Sequence, residues 1–207
     1  MKKDTRAKMV EATARLLQHR GYYGTSLSDI LEGSGGPRGS LYYHFPGGKD
    51  EIVLEATRFA IAEATRGLHN ALDTAGNPAQ GVRLFIDTAA DILRQTEYTF
   101  GCPVAPVILD ASGDLEELAA LCRGAFEEWV GVLTKAFAAE GMPKKRARSL
   151  ALLVESVVEG LLLIGRAYRN PEPLNSVAAE LESLLHLAIA KTNKDTARTE
   201  HRVGKTT

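Results

Sequence analysis

The chain has 207 residues, 44% of them hydrophobic, which is enough for one large or two small domains with a full apolar core. Its two cysteines, Cys102 and Cys122, have no CxxC partner and no cysteine–histidine cluster beside them, so the sequence indicates neither a disulfide framework nor a metal site. The net charge of −1 hides an asymmetry, because residues 1–50 carry eight basic and five acidic side chains.

The most apolar run, "LALLVESVVEGLLLIG", is interrupted by Glu155 and Glu159, so the sequence does not predict a membrane-spanning helix. No secretory pattern opens the chain, and the sparse cysteines suit a reduced compartment. We therefore predict a cytoplasmic protein that has no membrane partner, no metal and no cofactor.

Helical periodicity begins near the N-terminus. Apolar residues at i, i+3, i+4 and i+7 predict a first helix over residues 5–20, ended by a glycine. The stretch "TSLSD" predicts the start of a second helix, capped by Thr25 or Ser26. Proline favours the first turn of a helix, so a third helix of about two turns is expected between Pro37 and Pro46.

The remaining chain is also helical by pattern, and no β-hairpin signal interrupts it. Further helices are predicted from Lys49 towards His69, over 77–96, as a short piece within "GCPVAPVILDASGD", over 115–141, over 144–168, and over a last stretch marked by Val177, Leu181, Leu184 and Ala188. The polar segment 191–207 predicts a flexible tail. The predicted fold class is all-α.

Two short helices joined by a glycine-containing turn and braced by a longer first helix predict a helix-turn-helix, whose second helix enters the major groove of DNA. That second helix is "PRGSLYYHF", where Leu41 and Phe45 would pack inward. Glycine permits close approach, and arginine, hydroxyl and imidazole groups bind base edges or phosphates. "GGK" adds a helix N-terminus with an ammonium group, a reasonable phosphate seat. The candidate DNA-binding residues are Thr25, Arg38, Gly39, Ser40, Tyr42, Tyr43, His44 and Lys49.

"GYYGTSLSDI", Gly39, "LYYHF", and Lys49 with "DEI" resemble the TetR/AcrR family of transcriptional regulators over residues 5–55. The resemblance implies an all-α homodimer that binds double-stranded operator DNA and releases it when a small-molecule effector binds. It implies a helix-turn-helix domain over 1–48 and a helical ligand-binding and dimerisation domain over 49–190, before the tail at 191–207.

Three departures from the commonest family pattern involve four residues. Leu31 and Ser34 stand where alanine is usual, and Gly36-Pro37 stands where a small apolar residue and serine are usual. The missing serine removes an expected phosphate contact or N-cap. Pro37, "FPGGK" and "GCPVA" resemble the subgroup that includes the LmrA and YxaF regulators.

The C-terminal body carries aromatic side chains that could enclose an apolar effector. The candidate ligand-binding residues are Phe100, Cys102, Phe126 and Trp129, although core packing also explains them. Glu155 and Glu159 share one helical face, either at a solvated edge or in a pocket or dimer seam. The last two long helices are the predicted dimer interface, where Gly160 and Gly165 would permit close helix approach.

Other function classes have less support. An enzyme would need a convergent catalytic constellation, and the five histidines are scattered along the sequence. A helical protein–protein adaptor without DNA binding is the remaining alternative, which salt-dependent binding to duplex DNA would distinguish.

Overall fold

The computed structural model describes residues 2–111 and 115–203, with side chains described over 5–37, 39–111 and 115–194. Within these ranges all regular secondary structure is helical, which confirms the predicted all-α class. The helices are α1 (Lys2–Arg20), α2 (Leu27–Ser34), α3 (Arg38–His44), α4 (Lys49–Thr74), α5 (Pro78–Gln95), α6 (Ala105–Asp110), α7 (Glu116–Ala139), α8 (Lys144–Tyr168) and α9 (Glu172–Val203).

Local signals explain most of the helix ends. Ser26 caps α2 reciprocally with Asp29, since each side chain accepts the other residue's backbone N–H. Gly21 and Gly35 adopt the left-handed conformation that follows α1 and α2, at φ 68° and φ 65°. The Asn77 carboxamide oxygen accepts the N–H of Gln80 and begins α5. We predicted the same helix boundaries from these residue types.

Two helices extend past their predicted C-terminal ends. α4 continues past His69 to Thr74, because no glycine or proline lies between His69 and Gly76. α9 continues to Val203, so the predicted tail is helical over 191–203, and residues 204–207 lie outside the described part of the chain. A polar composition signals exposure, but Lys, Ala, Glu and Arg are good helix formers.

The chain divides into two compact units. Unit 1 comprises residues 1–66 and 96–125, and unit 2 comprises 67–95 and 126–207. In unit 1, α1 packs against α2 and α6. In unit 2, the three helices α5, α8 and α9 pack against one another. The functional boundary that we predicted at residue 49 lies inside unit 1, and it stays a prediction.

The core of unit 1 is formed by the inward faces of its helices. Its fully buried side chains include Met9, Leu17, Ile30, Leu41, Phe45 and Ile52. Arg6 on α1 forms a bidentate ion pair with Glu55 on α4, and its guanidinium also lies 4.9 Å from the centroid of the Phe45 ring. These contacts hold α1, α3 and α4 together and so fix the position of the short third helix.

The leucines of α9 form two groups, one buried in the core of unit 2 and one exposed on its surface. Leu174, Leu181 and Leu185 are buried, whereas Leu184 and Leu187 are exposed over 57% and 68% of their surface. The predicted apolar stripe therefore mixed core and surface positions, because the buried and exposed apolar positions lie on adjacent faces of the helix. None of the helices in the described part of the chain combines the length and the apolar character that crossing a membrane requires.

Candidate functional site

The turn between α2 and α3 is built by small residues. The Ser34 hydroxyl donates to the Leu31 carbonyl at 3.3 Å and accepts the Gly36 N–H at 3.4 Å. A Cβ on Gly36 would lie 2.4 Å from Cε of Met9, so glycine allows this turn to approach α1. Pro37 is the N-cap of α3 and supplies no side-chain cap hydrogen bond. Because Pro37 stands where the family pattern has serine, α3 has no side-chain cap.

Helix α3 has a buried face and an exposed face. Leu41 and Phe45 are 1% and 0% exposed and anchor the helix to unit 1, as predicted. Tyr42 and Tyr43 are 62% and 64% exposed. The half-buried His44 ring meets Tyr43 edge to face, with the ring centroids 5.1 Å apart. Two large aromatic side chains thus stand on the surface of a helix that the core holds in place.

Gly39 and Ser40 lie in the first turn of α3. Gly39 is exposed, and an added Cβ would meet no atom within 4 Å, so no packing inside the described chain requires glycine there. The Ser40 hydroxyl donates to the Pro37 carbonyl at 2.6 Å. Arg38 begins the helix, and its side chain lies outside the described side chains. A backbone with no side chain over it can come close to a DNA phosphate.

Thr25, one of the predicted DNA contacts, has a buried side chain in this structure. Thr25 is 0% exposed, and its hydroxyl donates to the Gly21 carbonyl at 2.8 Å. Ser26, the next residue, caps α2 instead. Threonine suits both a surface cap and a buried turn because its hydroxyl can bond the local backbone, so sequence could not distinguish the two positions.

Lys49 begins α4, next to the glycines that follow α3. Its ammonium lies 4.1 Å from the centroid of the Tyr22 ring, and the Tyr22 hydroxyl donates to Asp50. Burial lowers the pKa of Lys49, against the opposing effect of the Asp50 and Asp110 carboxylates. Burial and the Asp50 hydrogen bond raise the pKa of Tyr22 to about 12. Lys49 is therefore held in a defined place by an aromatic face.

We predicted a bare N-terminus for α4, and the structure places the Glu51 carboxylate beside the turn that leads into this helix. The Gly47 N–H donates to Oε2 of Glu51 at 2.7 Å. This carboxylate occupies the N–H of the first glycine of "GGK", two residues before α4 begins. The cause is a glutamate within the first turn of the helix, a common way of satisfying a helix N-terminus. Lys49 remains the candidate phosphate ligand at this point.

A second feature lies in unit 2, where α7 and α8 border an open groove of about 330 Å³. Its walls are lined by Phe126, Glu127, Val130, Leu152, Glu155, Ser156 and Glu159. Trp129 is buried and meets the Phe126 ring edge to face, with the ring centroids 5.6 Å apart. The structure thus brings together two of the four predicted ligand-binding residues with the two glutamates that the sequence left unassigned.

The other two predicted ligand-binding residues belong to unit 1. Cys102 is buried, and its sulfur accepts the N–H groups of Val104 and Ala105 at 3.4 and 3.3 Å. Phe100 is half-buried. Cys102 matches the interpretation as a small apolar residue of the core. Leu152 and Ser156, which line the groove, could have been found from their spacing of three residues before Glu155 and Glu159.

Glu155 is a carboxyl group in an apolar setting. Burial and the nearby charge of Glu159 raise its pKa to about 7. Glu127, facing from α7, is neutralised by Arg148 at 2.9 Å. The described side chains provide no cation that forms an ion pair with Glu155. At neutral pH this carboxyl is poised between its charged and uncharged forms.

Replacing Glu155 by glutamine is expected to flatten the pH dependence of stability. Its ordinary pKa of 4.5 is raised to about 7 in the folded chain, so the folded state binds more protons between these values. The free energy of unfolding therefore falls as pH rises through this window and stays low above pH 7. Glu155→Gln should be about 1 to 3 kcal/mol more stable than the wild type at pH 8 and nearly equal to it at pH 4.5.

Urea unfolding at both pH values measures this difference, and Glu128→Gln, an exposed acid on the same helix as Phe126, is the matched control. An equal pH dependence in wild type and Glu155→Gln would show that Glu155 titrates normally.

Two family descriptions match this chain. Residues 9–56 match the bacterial regulatory proteins of the tetR family, and residues 78–180 match the C-terminal domain of LmrA/YxaF-like transcriptional regulators. The first match spans the helix-turn-helix, and the second spans α5 to α8 and part of α9. The chain belongs to the TetR family of transcriptional regulators, proteins that bind operator DNA and are not enzymes.

Relatives and solved structures agree with this assignment. The HTH-type transcriptional regulator LmrA of Bacillus subtilis is 32% identical over 182 residues, 88% of this chain and 97% of LmrA. An uncharacterized HTH-type transcriptional regulator of Mycobacterium tuberculosis is 36% identical over 189 residues, 87% of this chain and 93% of that protein. A cysteine mutant of the TetR family regulator CifR, complexed with a 26-base-pair operator DNA, superposes with a TM-score of 0.75 at 20% identity, covering 86% of this chain and 94% of that chain.

Proposed function

We propose that this protein is a homodimeric, ligand-responsive repressor that binds a palindromic operator through α3. The observation that carries the proposal is the exposed pair Tyr42 and Tyr43, opposite the buried anchors Leu41 and Phe45. A helix held by its inner face presents its outer face to the major groove in the same orientation on every molecule. The similarity to CifR, which was solved with operator DNA, supports this use of the N-terminal helices.

The domain 1–48 is the proposed DNA-binding domain. The proposed DNA contacts are Arg38, Gly39, Ser40, Tyr42, Tyr43, His44 and Lys49, the first residue after it. Tyrosine and serine hydroxyls, imidazole and ammonium groups suit phosphate oxygens, whereas arginine also suits a guanine edge. Two copies would place their α3 helices in successive major grooves, about 34 to 36 Å apart. The location that follows from this function is the cytoplasm.

The test is binding of the purified protein to duplex DNA taken from the region flanking its gene. A palindromic site should be bound far more tightly than a scrambled duplex, and the affinity should fall steeply as salt rises. A half-palindrome is the matched DNA control, because it should bind only one subunit. Equal binding to palindrome and scrambled DNA, or affinity that does not change with salt, would contradict the proposal and favour a protein–protein adaptor.

Arg38→Ala is expected to weaken binding to the operator by about 1 to 3 kcal/mol. If Arg38 donates to a guanine edge, the variant should also lose discrimination at one base pair, which a panel of single-base operator variants measures. Uniform weakening over the panel would assign Arg38 to a phosphate instead. Unchanged affinity for every sequence would remove it from the interface.

Lys49→Ala is expected to lower the slope of log affinity against log salt by roughly one unit, because one fewer counterion is released. The measurement is fluorescence anisotropy of a labelled operator over a salt series. Lys135→Ala, an exposed lysine in unit 2, is the control and should leave the slope unchanged. If Lys49→Ala kept the wild-type affinity and slope, the Lys49 ammonium would contact the Tyr22 ring and not a DNA phosphate.

The effector part of the proposal places a small, largely apolar molecule in the C-terminal domain, at 49–190. The groove bordered by Phe126 supports it, since its volume lies within the range of small-molecule sites. Release of DNA requires only that the ligand bind better to a conformation with the two α3 helices wrongly spaced. A coupling of about 1 to 3 kcal/mol would change operator affinity roughly 5- to 150-fold.

A further inference from the structure

Lys49 lies beside the exposed face of α3, across a short turn. The Gly48 N–H donates to the Phe45 carbonyl at 2.9 Å, and Gly48 adopts the left-handed conformation at φ 69°. A Cβ on Gly48 would lie 3.7 Å from Cε1 of Tyr42, so the turn packs against a ring that α3 exposes. Because Phe45 is buried and Lys49 begins α4, the backbone of Lys49 has a fixed position relative to Tyr42.

The side chain of Lys49 is held by the ring of Tyr22. Its ammonium lies 4.1 Å from the ring centroid, within the distance at which an aromatic face attracts a cation. The Tyr22 hydroxyl donates to Asp50, so the ring is also attached to the first turn of α4. Burial lowers the pKa of Lys49, and the Asp50 and Asp110 carboxylates oppose this effect by favouring the charged form.

The turn that carries Tyr22 is fixed by α6, which belongs to the same compact unit. Oδ2 of Asp110 accepts the N–H of Tyr23 at 3.2 Å. Gly21 permits this approach, since an added Cβ would lie 2.3 Å from the same oxygen. Tyr22 is therefore ordered by contacts on two sides before any partner binds.

We infer that Tyr22 is a positioning residue for DNA binding, whose ring holds the Lys49 ammonium where a phosphate of the operator backbone meets it. The inference rests on the proposed operator binding and adds to it a residue that does not itself contact DNA. A lysine side chain loses rotamer freedom when a phosphate fixes it, and the contact with Tyr22 removes part of that loss in advance. The ring also displaces water from one side of the half-buried ammonium, which strengthens its attraction to an anion on the other side.

The experiment is a double-mutant cycle on operator binding by the full chain. Tyr22→Leu removes the ring, whereas Tyr22→Phe keeps the ring and removes only the hydrogen bond to Asp50. On a palindrome we expect Tyr22→Leu to weaken binding about tenfold, because both subunits lose a cation–aromatic contact, and Tyr22→Phe by less than about threefold. In the Lys49→Ala background, Tyr22→Leu should change the affinity by less than about twofold, because the ring then has no ammonium to hold.

Tyr23→Leu is the matched control. Tyr23 is 66% exposed, and its ring meets the Tyr22 ring edge to face with the centroids 5.2 Å apart. Its replacement removes a neighbouring aromatic side chain that does not hold Lys49, so operator affinity should stay within about twofold of the wild type. Urea unfolding and circular dichroism establish that each variant is folded at the temperature of the binding measurement.

Nuclear magnetic resonance locates the Lys49 side chain in the wild-type protein and needs no destabilising variant. Protons above an aromatic face resonate upfield, so the ε-methylene signal of Lys49, assigned by its absence in Lys49→Arg, should lie upfield of an ordinary lysine. We expect the upfield shift to persist when the operator is added, because the ring and the phosphate hold the ammonium from different sides. A role of Tyr22 in folding alone makes no such demand on the complex.

The inference is overturned if Tyr22→Leu keeps wild-type affinity, or if it weakens binding equally with and without Lys49, since Tyr22 would then act through the fold. It is also overturned if the Lys49 signal loses its upfield shift in the operator complex, because the lysine would leave the ring to reach DNA. Failure of the proposed repressor function is separate, since the wild-type protein itself would then bind palindromic and scrambled DNA equally.

Discussion

Replacing Leu184 and Leu187 together by glutamate is expected to give a folded monomer that binds a palindromic operator at least about 100-fold more weakly than the wild type. The factor follows from the loss of linked binding to two half-sites, which contributes roughly 10²- to 10⁴-fold in avidity. Both leucines are exposed on α9, so their replacement leaves the core of unit 2 intact. The two glutamates of each copy would place four negative charges in the interface, and their mutual repulsion would oppose association.

The structure changes how this dimer test is designed. Leu181, which the sequence placed on the same face, is 3% exposed and belongs to the core. Leu181→Glu should therefore unfold unit 2 and would not report on dimerisation. Gly165 is also internal, since an added Cβ would lie 2.6 Å from Cδ1 of Leu174. Gly160 has no atom within 4 Å of an added Cβ in the described chain and stays available for a partner helix.

We propose that the dimer forms through the exposed apolar faces of α8 and α9. On α8 the exposed residues include Leu153 and Ile164, and on α9 they include Val177, Leu184 and Leu187. Apolar side chains concentrated on two packed helices are typical of a self-association surface. Analytical ultracentrifugation and circular dichroism distinguish a folded monomer from an unfolded chain. A Leu184→Glu, Leu187→Glu protein that remains dimeric would place the interface elsewhere.

Phe45→Ala is expected to destabilise the protein by about 3 to 5 kcal/mol, the range for truncating a fully buried phenylalanine. Phe45 is 0% exposed, caps the C-terminus of α3, and lies under the guanidinium of Arg6. Its loss should release α3 from the core and weaken operator binding as a consequence. Urea unfolding and operator titration, performed on the same preparation, measure both effects.

Tyr42→Ala is the matched variant on the opposite face of α3. Because Tyr42 is 62% exposed, its removal should change the free energy of unfolding by less than about 0.5 kcal/mol. Operator affinity should nevertheless fall about tenfold if its hydroxyl donates to a phosphate. A Tyr42→Ala protein with wild-type operator affinity would contradict the proposed docking face, and a stable Phe45→Ala protein would contradict the anchoring role of the inner face.

The sequence by itself determined the class of fold and the start of nearly every helix. Ser26 with Asp29, Pro37, Asn77-Pro78 and the glycines after α1 and α2 act on the backbone within a few residues, so their effect is readable without knowing the fold. The same local pattern placed Leu41 and Phe45 inward and the two tyrosines between them outward, because helical periodicity relates neighbouring residues to one surface.

Only the tertiary structure decided which apolar and acidic residues belong to the core and which to a site. Thr25 and Leu181 are buried, and Leu184 is exposed, because other helices cover one part of an apolar face and leave the rest open. Glu155 lies beside a groove because α7 borders α8 at that point, and its raised pKa arises from that burial. Such pairings join residues far apart in the chain, so no local pattern in the sequence specifies them.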